Sequence, residues 1–256
     1  MLSIQDISFS YPANDRKGTR YEVIRNLNFV VKDNEFVCII GPSGCGKSTL
    51  LKMIAGFEKP TSGVILDNGE AINGINYERA MVFQEDAVFP WLTVYDNVGY
   101  GLKVRKVDEK VRKERVKRCI ESVGLCGCEN SYPKELSGGM KKRVDLARVL
   151  ANDPKMLLMD EPFGALDAMT KEMMQEELVQ IWENSRKTIV FVTHDIEEAL
   201  FLADRIVVVQ HIKNGGEAEI IDVSFPRPRT VDLKEDPEFQ KARRRITELL
   251  KKYENA

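Results

Sequence analysis

Hydrophobic spacing along this chain changes character twice. From Ile4 to Phe9 apolar and polar residues alternate, Leu27 to Val31 reads as extended, and Val37 to Ile40 is an unbroken apolar run. Alternation suits a strand with one wet face, whereas a short continuous run suits a strand buried on both faces of a parallel sheet. After a glycine-rich loop, Lys47 to Ala55 carries apolar residues at helical spacing and stops at Gly56, and Pro60 with Thr61-Ser62-Gly63 turns the chain into another strand. Between about Glu85 and Asp153 the period is helical, with helices expected at Val94 to Leu102, Glu109 to Val123 and Gly139 to Ala151. Strands return at Met156 to Met159, Thr188 to Val192, Arg205 to Val209 and Ala218 to Ile221, with helices expected at Ala168 to Asn184 and Ile196 to Ala203. That order predicts an α/β protein whose sheet is interrupted by an inserted helical block and then resumed. Pro226, Pro228 and Pro237 mark a tail, and its Phe239 to Tyr253 segment is expected to be a charged surface helix.

Composition narrows the class. With 43% hydrophobic and 30% charged residues, the 256-residue chain has the make-up of a soluble globular protein and not of a disordered or fibrous one. Domains of about 150 residues would make it one or two. A net charge of -2 offers no basic field for nucleic acid or an anionic membrane. No apolar run approaches the roughly 18 residues that span a bilayer, and MLSIQDISFS lacks the features of a signal peptide. Five cysteines form no disulfide framework and fit reduced thiols in the cytosol. Cys126 and Cys128 stand close enough to suggest zinc, but two further ligands are missing nearby and a plain turn is the better reading.

The chemistry gathers at strand ends. Gly41-Pro42-Ser43-Gly44-Cys45-Gly46-Lys47-Ser48-Thr49 matches glycine, four free positions, glycine, lysine and a hydroxyl residue, placed between a buried strand and a helix. Its glycines let successive backbone N–H groups surround phosphates at the positive end of the helix, with Lys47 reaching the β- and γ-phosphates and Ser48 a Mg²⁺ ion. Cys45 lies inside this loop, so alkylation there is expected to inhibit and bound ATP to protect. Leu157 to Asp160 supplies an apolar strand ending in a carboxylate, which makes Asp160 the Mg²⁺ partner. Glu161 has two readings, a general base that orients or deprotonates water and an acid at a helix start; Asp160 and Pro162 beside it favour the base. The strands ending in Gln84 and His194 place those residues where parallel sheets hold ligands. Gln84 then binds Mg²⁺ or water and His194 the γ-phosphate, against the plainer readings of a surface glutamine and a loop histidine. His211 receives no role. Leu136-Ser137-Gly138-Gly139 opens another helix in an anion-binding arrangement, although one phosphate loop is already present.

Taken together these motifs resemble the nucleotide-binding subunit of ATP-binding cassette (ABC) transporters over nearly the whole chain. The phosphate loop, Gln84, LSGG at Leu136 to Gly139, LLMDEP at Leu157 to Pro162, ALD at Ala165 to Asp167 and His194 stand in the family's order. The resemblance implies a P-loop NTPase, RecA-like core with an N-terminal antiparallel β subdomain (residues 1–84 and 154–224), a helical signature subdomain (85–153) and a C-terminal tail with a helix (225–256). It implies that Tyr11 stacks on adenine. It also accounts for the second anion loop: two copies meet head to tail, and Ser137, Gly138 and Gly139 of one complete the ATP site of the other, with Asp167 at the same interface. The cofactors implied are ATP and Mg²⁺, and closure by ATP with opening after hydrolysis would be a population shift. The implied partners are a second nucleotide-binding subunit, a membrane permease met by residues 85–98 with Phe89 and Trp91 as groove aromatics, and indirectly an extracytoplasmic solute-binding protein, but no nucleic acid. Trp91 also has an internal packing reading. The expected location is cytoplasmic, peripheral on the inner face of the cell membrane.

A narrower likeness joins VFQEDAVFPWLTVYDNV, DEPFGALDAMTKEMMQEELVQIW, FVTHDIEEALFLADRIVVV and FPRPR to the nitrate, sulfonate and taurine importer branch. The chain departs from that branch at Lys141-Lys142, where Arg-Gln is common, at Asn34, where a turn glycine is common, and at His211 to Glu217 in place of a short Pro-Gly turn. Competing readings are a soluble ABC protein acting on ribosomes or DNA, which would favour tandem cassettes or a long coiled-coil insertion, and a nucleotide-binding subunit without turnover, which Glu161 and His194 disfavour.

Overall fold

A computed structural model describes residues 1–12, 19–210 and 218–255. His211 and the 211–217 stretch lie outside the described residues. The strands, in chain order, are β1 (Leu2–Pro12), β2 (Arg20–Val31), β3 (Phe36–Ile40), β4 (Ser62–Asp67), β5 (Glu70–Ala71), β6 (Arg79–Val82), β7 (Met156–Asp160), β8 (Thr188–Val192), β9 (Arg205–Val209) and β10 (Ala218–Asp222). The helices are α1 (Lys47–Ala55), α2 (Val94–Val104), α3 (Glu109–Ser122), α4 (Gly138–Ala151), α5 (Ala168–Ser185), α6 (Ile196–Leu202) and α7 (Pro237–Asn255). The chain divides into two compact units, Met1–Asn76 with Arg186–Ala256, and Tyr77–Ser185.

In the first unit, β2, β1, β4 and β5 form an antiparallel sheet in that order. Here β1 pairs with β2 from Leu2↔Val31 to Pro12↔Arg20, through register shifts beside the left-handed Asp6 and Asn26. A second set of strands is parallel: β3 lies between β8 and β9, and β10 adds antiparallel to β9. Every residue of β3 and β8 is buried, as continuous apolar runs require of strands covered on both faces. The turn into β3 uses Asn34 at φ 60, whose N–H donates to Thr188 Oγ1 at 3.0 Å, so asparagine does there what a glycine would.

The tail ends in the charged surface helix expected, and one side of it packs inward: in α7 Phe239 and Ile246 are fully buried, Phe239 meets Phe225 at 5.5 Å, and Arg243 pairs with Glu197 of α6 at 3.0 Å. Two apolar residues seven positions apart suffice for a buried seam one side wide. Before it, Arg229 lies 5% exposed and donates to the carbonyls of Leu200, Phe201 and Ala203 at the end of α6.

In the second unit β6 and β7 pair in parallel, Arg79↔Met156 through Val82↔Met159, and β7 is buried along its length. Helices α2, α3 and α4 pack on one another around Val98, Leu102, Val116, Ile120, Val144 and Ala147. Thr93 caps α2, its hydroxyl accepting from Asp96 N–H, and Asp108 caps α3 in the same way through Lys110 and Val111.

Candidate functional site

In the first unit, the phosphate loop links β3 to α1. Gly46 is the residue before α1, at φ 93, and Gly44 sits at φ 79, both in the left-handed region that L side chains avoid. A methyl at Gly41 would lie 2.3 Å from the carbonyl oxygen of Val209, so the loop passes against β9 too closely for any side chain. Lys47 is 8% exposed, and its Nζ donates to the carbonyls of Gly41 (2.8 Å) and Pro42 (2.9 Å). An ammonium folded over its own loop lies beside N–H groups at a helix N-terminus, which is the donor set an anion needs. Ser43 and Gly44 are exposed and Ser48 is half-buried.

Cys45 departs from expectation. Its side chain is 1% exposed, and burial pushes the thiol pKa up, with the Lys47 cation pulling the other way. Cys45 turns its backbone N–H to the Pro42 carbonyl at 3.4 Å and keeps its sulfur beneath the loop, so ready alkylation is not expected. Tyr11 is tied to the same region, its hydroxyl 3.0 Å from Thr49 Oγ1 and its ring edge-on to Phe9 at 4.8 Å. His194 follows β8 and is exposed. Its neighbours are fixed: Asp195 N–H donates to Thr193 Oγ1 at 3.0 Å, Thr193 donates to the buried Glu198, and Asp195 caps α6.

In the second unit, β7 delivers Asp160 at 6% exposure and Glu161 next to it. Glu161 takes φ 42, a strained setting for a glutamate, and such strain collects where function demands a particular direction. Gln84 Nε2 approaches Glu161 Oε2 at 3.5 Å, the outer edge of hydrogen bonding, so these two residues do come together. Asp167 is exposed; the Thr170 N–H donates to it at 3.1 Å, which holds the carboxyl below its usual pKa. Ser137 caps α4, its hydroxyl accepting from Met140 N–H at 3.3 Å. Gly138 is open to solvent, while a methyl at Gly139 would sit 2.6 Å from Thr170 Cγ2. Trp91 is 70% exposed, which removes the internal packing reading, and Phe89 lies between Trp91 (5.5 Å) and Tyr100 (4.7 Å).

The family model described as ABC transporter matches residues 24–164. The chain belongs to the ABC transporter family. An uncharacterized ABC transporter ATP-binding protein of Methanocaldococcus jannaschii is 45% identical over 98% of this chain and 91% of its own length. An aliphatic sulfonates import ATP-binding protein of Bacillus cereus is 44% identical over 96% and 94%, and a nitrate import ATP-binding protein of Synechocystis sp. 45% identical over 91% of each. A solved dimeric ATP-binding cassette in a post-hydrolysis state, bound to ADP and Pi, matches with TM-score 0.76 at 31% identity, covering 88% of this chain and all of that one. This cassette is therefore an ATP-binding ATPase, and its fold is that of ABC cassettes. Among the described residues no helix is long and apolar enough to cross a membrane, and no cluster of three or more metal-ligating side chains occurs.

Pattern reasoning missed the buried polar residues Asn97, Lys142, Asp145 and Gln175 of the second unit, and the half-buried Arg148. The available signal was charge at the spacing Lys142, Asp145, Arg148 on a helix, interleaved with Val144 and Leu146, which reads as a solvated stripe.

Proposed function

We propose that the chain is the ATP-hydrolysing subunit of an importer for a small anion of the nitrate, sulfonate, taurine or bicarbonate kind, working through a separate permease. What carries this reading is identity of about 45% over nearly the full length with both sulfonate and nitrate import ATP-binding proteins; a bicarbonate transport ATP-binding protein of Synechocystis sp. is 44% identical over 94% of the chain. In this account Tyr11 stacks on adenine, Gly41 and the N–H groups of Ser43 to Thr49 hold the phosphates, and Lys47 turns from its loop carbonyls to the β- and γ-oxygens. Ser48, Asp160 and Gln84 would hold Mg²⁺, a hard cation suited to hydroxyl, carboxylate and amide oxygens. That ion would offset charge on the phosphate oxygens. Glu161 takes a proton from the attacking water, and His194 steadies the γ-phosphate.

Two copies act together. Ser137, Gly138 and Gly139 of one, with Asp167 nearby, bind the γ-phosphate held by the other, so ATP favours the closed pair and hydrolysis removes that preference. The neighbouring dimeric cassette bound to ADP and Pi supports this arrangement. Residues 85–98 of the helical block, 85–153, transmit closure to the permease at the inner membrane face, with Phe89 and Trp91 as contacts and an extracytoplasmic binding protein supplying the solute.

The test is a pair of variants in Mg-ATP. Glu161→Gln is expected to keep ATP, lose phosphate release and accumulate as a dimer on size-exclusion chromatography with light scattering. Ser137→Arg in the same background is expected to bind ATP as a monomer. A Glu161→Gln protein that turns over normally, or a Ser137→Arg protein that still dimerises, refutes the roles assigned here.

A further inference from the structure

Helix α4 carries a polar stripe where a core-facing stripe would be expected. Lys142, Asp145 and Arg148 follow at three-residue steps and so share one face, and Lys142 and Asp145 are only 4% and 3% exposed. All three reach the segment that follows β6. Lys142 Nζ donates to the carbonyls of Gln84 (2.7 Å) and Phe83 (3.2 Å) and lies 3.5 Å from Asp86 Oδ1. Asp145 accepts from Ala87 N–H at 3.0 Å, while Arg148 donates to Ala87 O and covers the Phe89 ring at 4.8 Å. Asn97, fully buried, grips the same segment from α2: it accepts from Phe89 N–H at 2.8 Å and donates to the carbonyls of Phe89, Leu92 and Thr93. Residues 83–89 thus owe their path to side chains of α4 and α2 rather than to a strand or helix of their own.

A buried ammonium adds little net stability, because the cost of removing it from water offsets its attractions. An apolar residue in its place would fill the site as well. What only the cation provides is a fixed position for two adjacent carbonyls, one of them belonging to Gln84. Ser137 to Gly139 open the same helix, about one turn before Lys142.

We propose that Lys142 is a positioning residue for Gln84: it ties the Gln84 backbone to α4, so that a displacement of the Ser137–Gly139 end is delivered to the Gln84 side chain. This rests on the role of Gln84 given above. The Lys142 that departs from the branch's common residue is, on this account, the physical link between the two motifs.

The experiment is a double-mutant cycle on the full-length chain, measuring steady-state ATPase activity and thermal unfolding for Lys142→Met, Gln84→Ala and the double variant. Lys142→Met is expected to lower kcat about tenfold with KM for ATP held within about twofold, since small misplacements of an orienting group act on the rate rather than on binding. Its unfolding temperature should stay level or rise, because Asp86 is 41% exposed and both freed carbonyls lie on exposed residues that water can reach. In the Gln84→Ala background the same change should cost less than about twofold, the non-additivity of residues acting as one unit. Lys142→Gln keeps one amide donor and should recover part of the rate; it takes the place of Lys142→Met in the cycle if that variant does not fold. A Lys142→Met enzyme with wild-type kcat, or one losing the same factor in both backgrounds, overturns the proposal alone. Wild-type kcat in Gln84→Ala overturns the role of Gln84 and the proposal with it.

Discussion

Replacing Gly46 by alanine separates two forces that shape the phosphate loop. The first is backbone strain: φ 93 places an L residue in the left-handed region, at roughly 1–2 kcal/mol. The second is crowding, since the new Cβ would stand 2.7 Å from Ile24 Cγ1, 3.0 Å from Val23 Cγ1 and 3.1 Å from Ile24 Cδ1. Contacts that close in a packed site cost about 1–3 kcal/mol. The sum is about 2–5 kcal/mol, and the loop relieves it either by destabilising the fold or by leaving the conformation that binds phosphate. In the second case ATP affinity falls by the same energy, about 30-fold to several thousand-fold. Urea unfolding without nucleotide and titration with a fluorescent ATP analogue measure the two shares. Ile24→Ala divides them further, because truncating Ile24 should be about 1–3 kcal/mol less harmful in the Gly46→Ala background than alone, while the backbone share persists. Unfolding and ATP binding both unchanged in Gly46→Ala would refute the account.

Two further outcomes follow from titratable groups in buried settings. Maleimide labelling of Cys45 in the folded protein should run far slower than that of exposed Cys126, speeding up as pH rises towards the elevated thiol pKa; matching rates at neutral pH would contradict the buried position. Burial also raises the Asp145 carboxyl, more than the Ala87 N–H, Arg148 and Lys142 lower it. A carboxyl with a folded pKa above its unfolded value contributes most when protonated and loses that contribution as pH rises through the folded value. Asp145→Asn keeps the acceptor for Ala87 N–H, so its stability relative to wild type should improve as pH climbs from below the ordinary aspartate value to neutrality; a constant difference on denaturant titration across that range would count against the argument.

Much of the fold and most candidate residues were legible because each rests on a local rule. α1 begins and ends where glycine at one end and the apolar period between put it, and β3, β7, β8 and β9 are continuous apolar runs that only a doubly covered strand uses. The structure departs where partners far along the chain decide. The start of β2 holds exposed Arg20 and Tyr21 and half-buried Glu22, with only Val23 and Ile24 as an apolar signal, and is a strand because β1 pairs with it, Tyr11 to Tyr21 and Ser10 to Glu22. α7 reads as solvated from its lysines and arginines, and only Phe239 and Ile246 betray a buried seam. Lys142 and Asp145 are hidden for the same reason: a charge on a helix looks solvent-facing until another segment presents backbone groups to meet it.

The guanidinium of Arg229 at the end of α6 sets a limit on how the molecule can be shortened. The helix it plugs starts directly after His194, with Asp195 as its first cap, so the two ends of those seven residues are fastened by an acid from before and a base from well beyond the last strand. Trimming the chain behind β10, as an edit aimed at an apparent appendage, would leave three backbone oxygens of that helix without their donor and loosen the histidine's mooring from behind. Any protease nick or fusion junction tolerated here should therefore fall beyond this arginine.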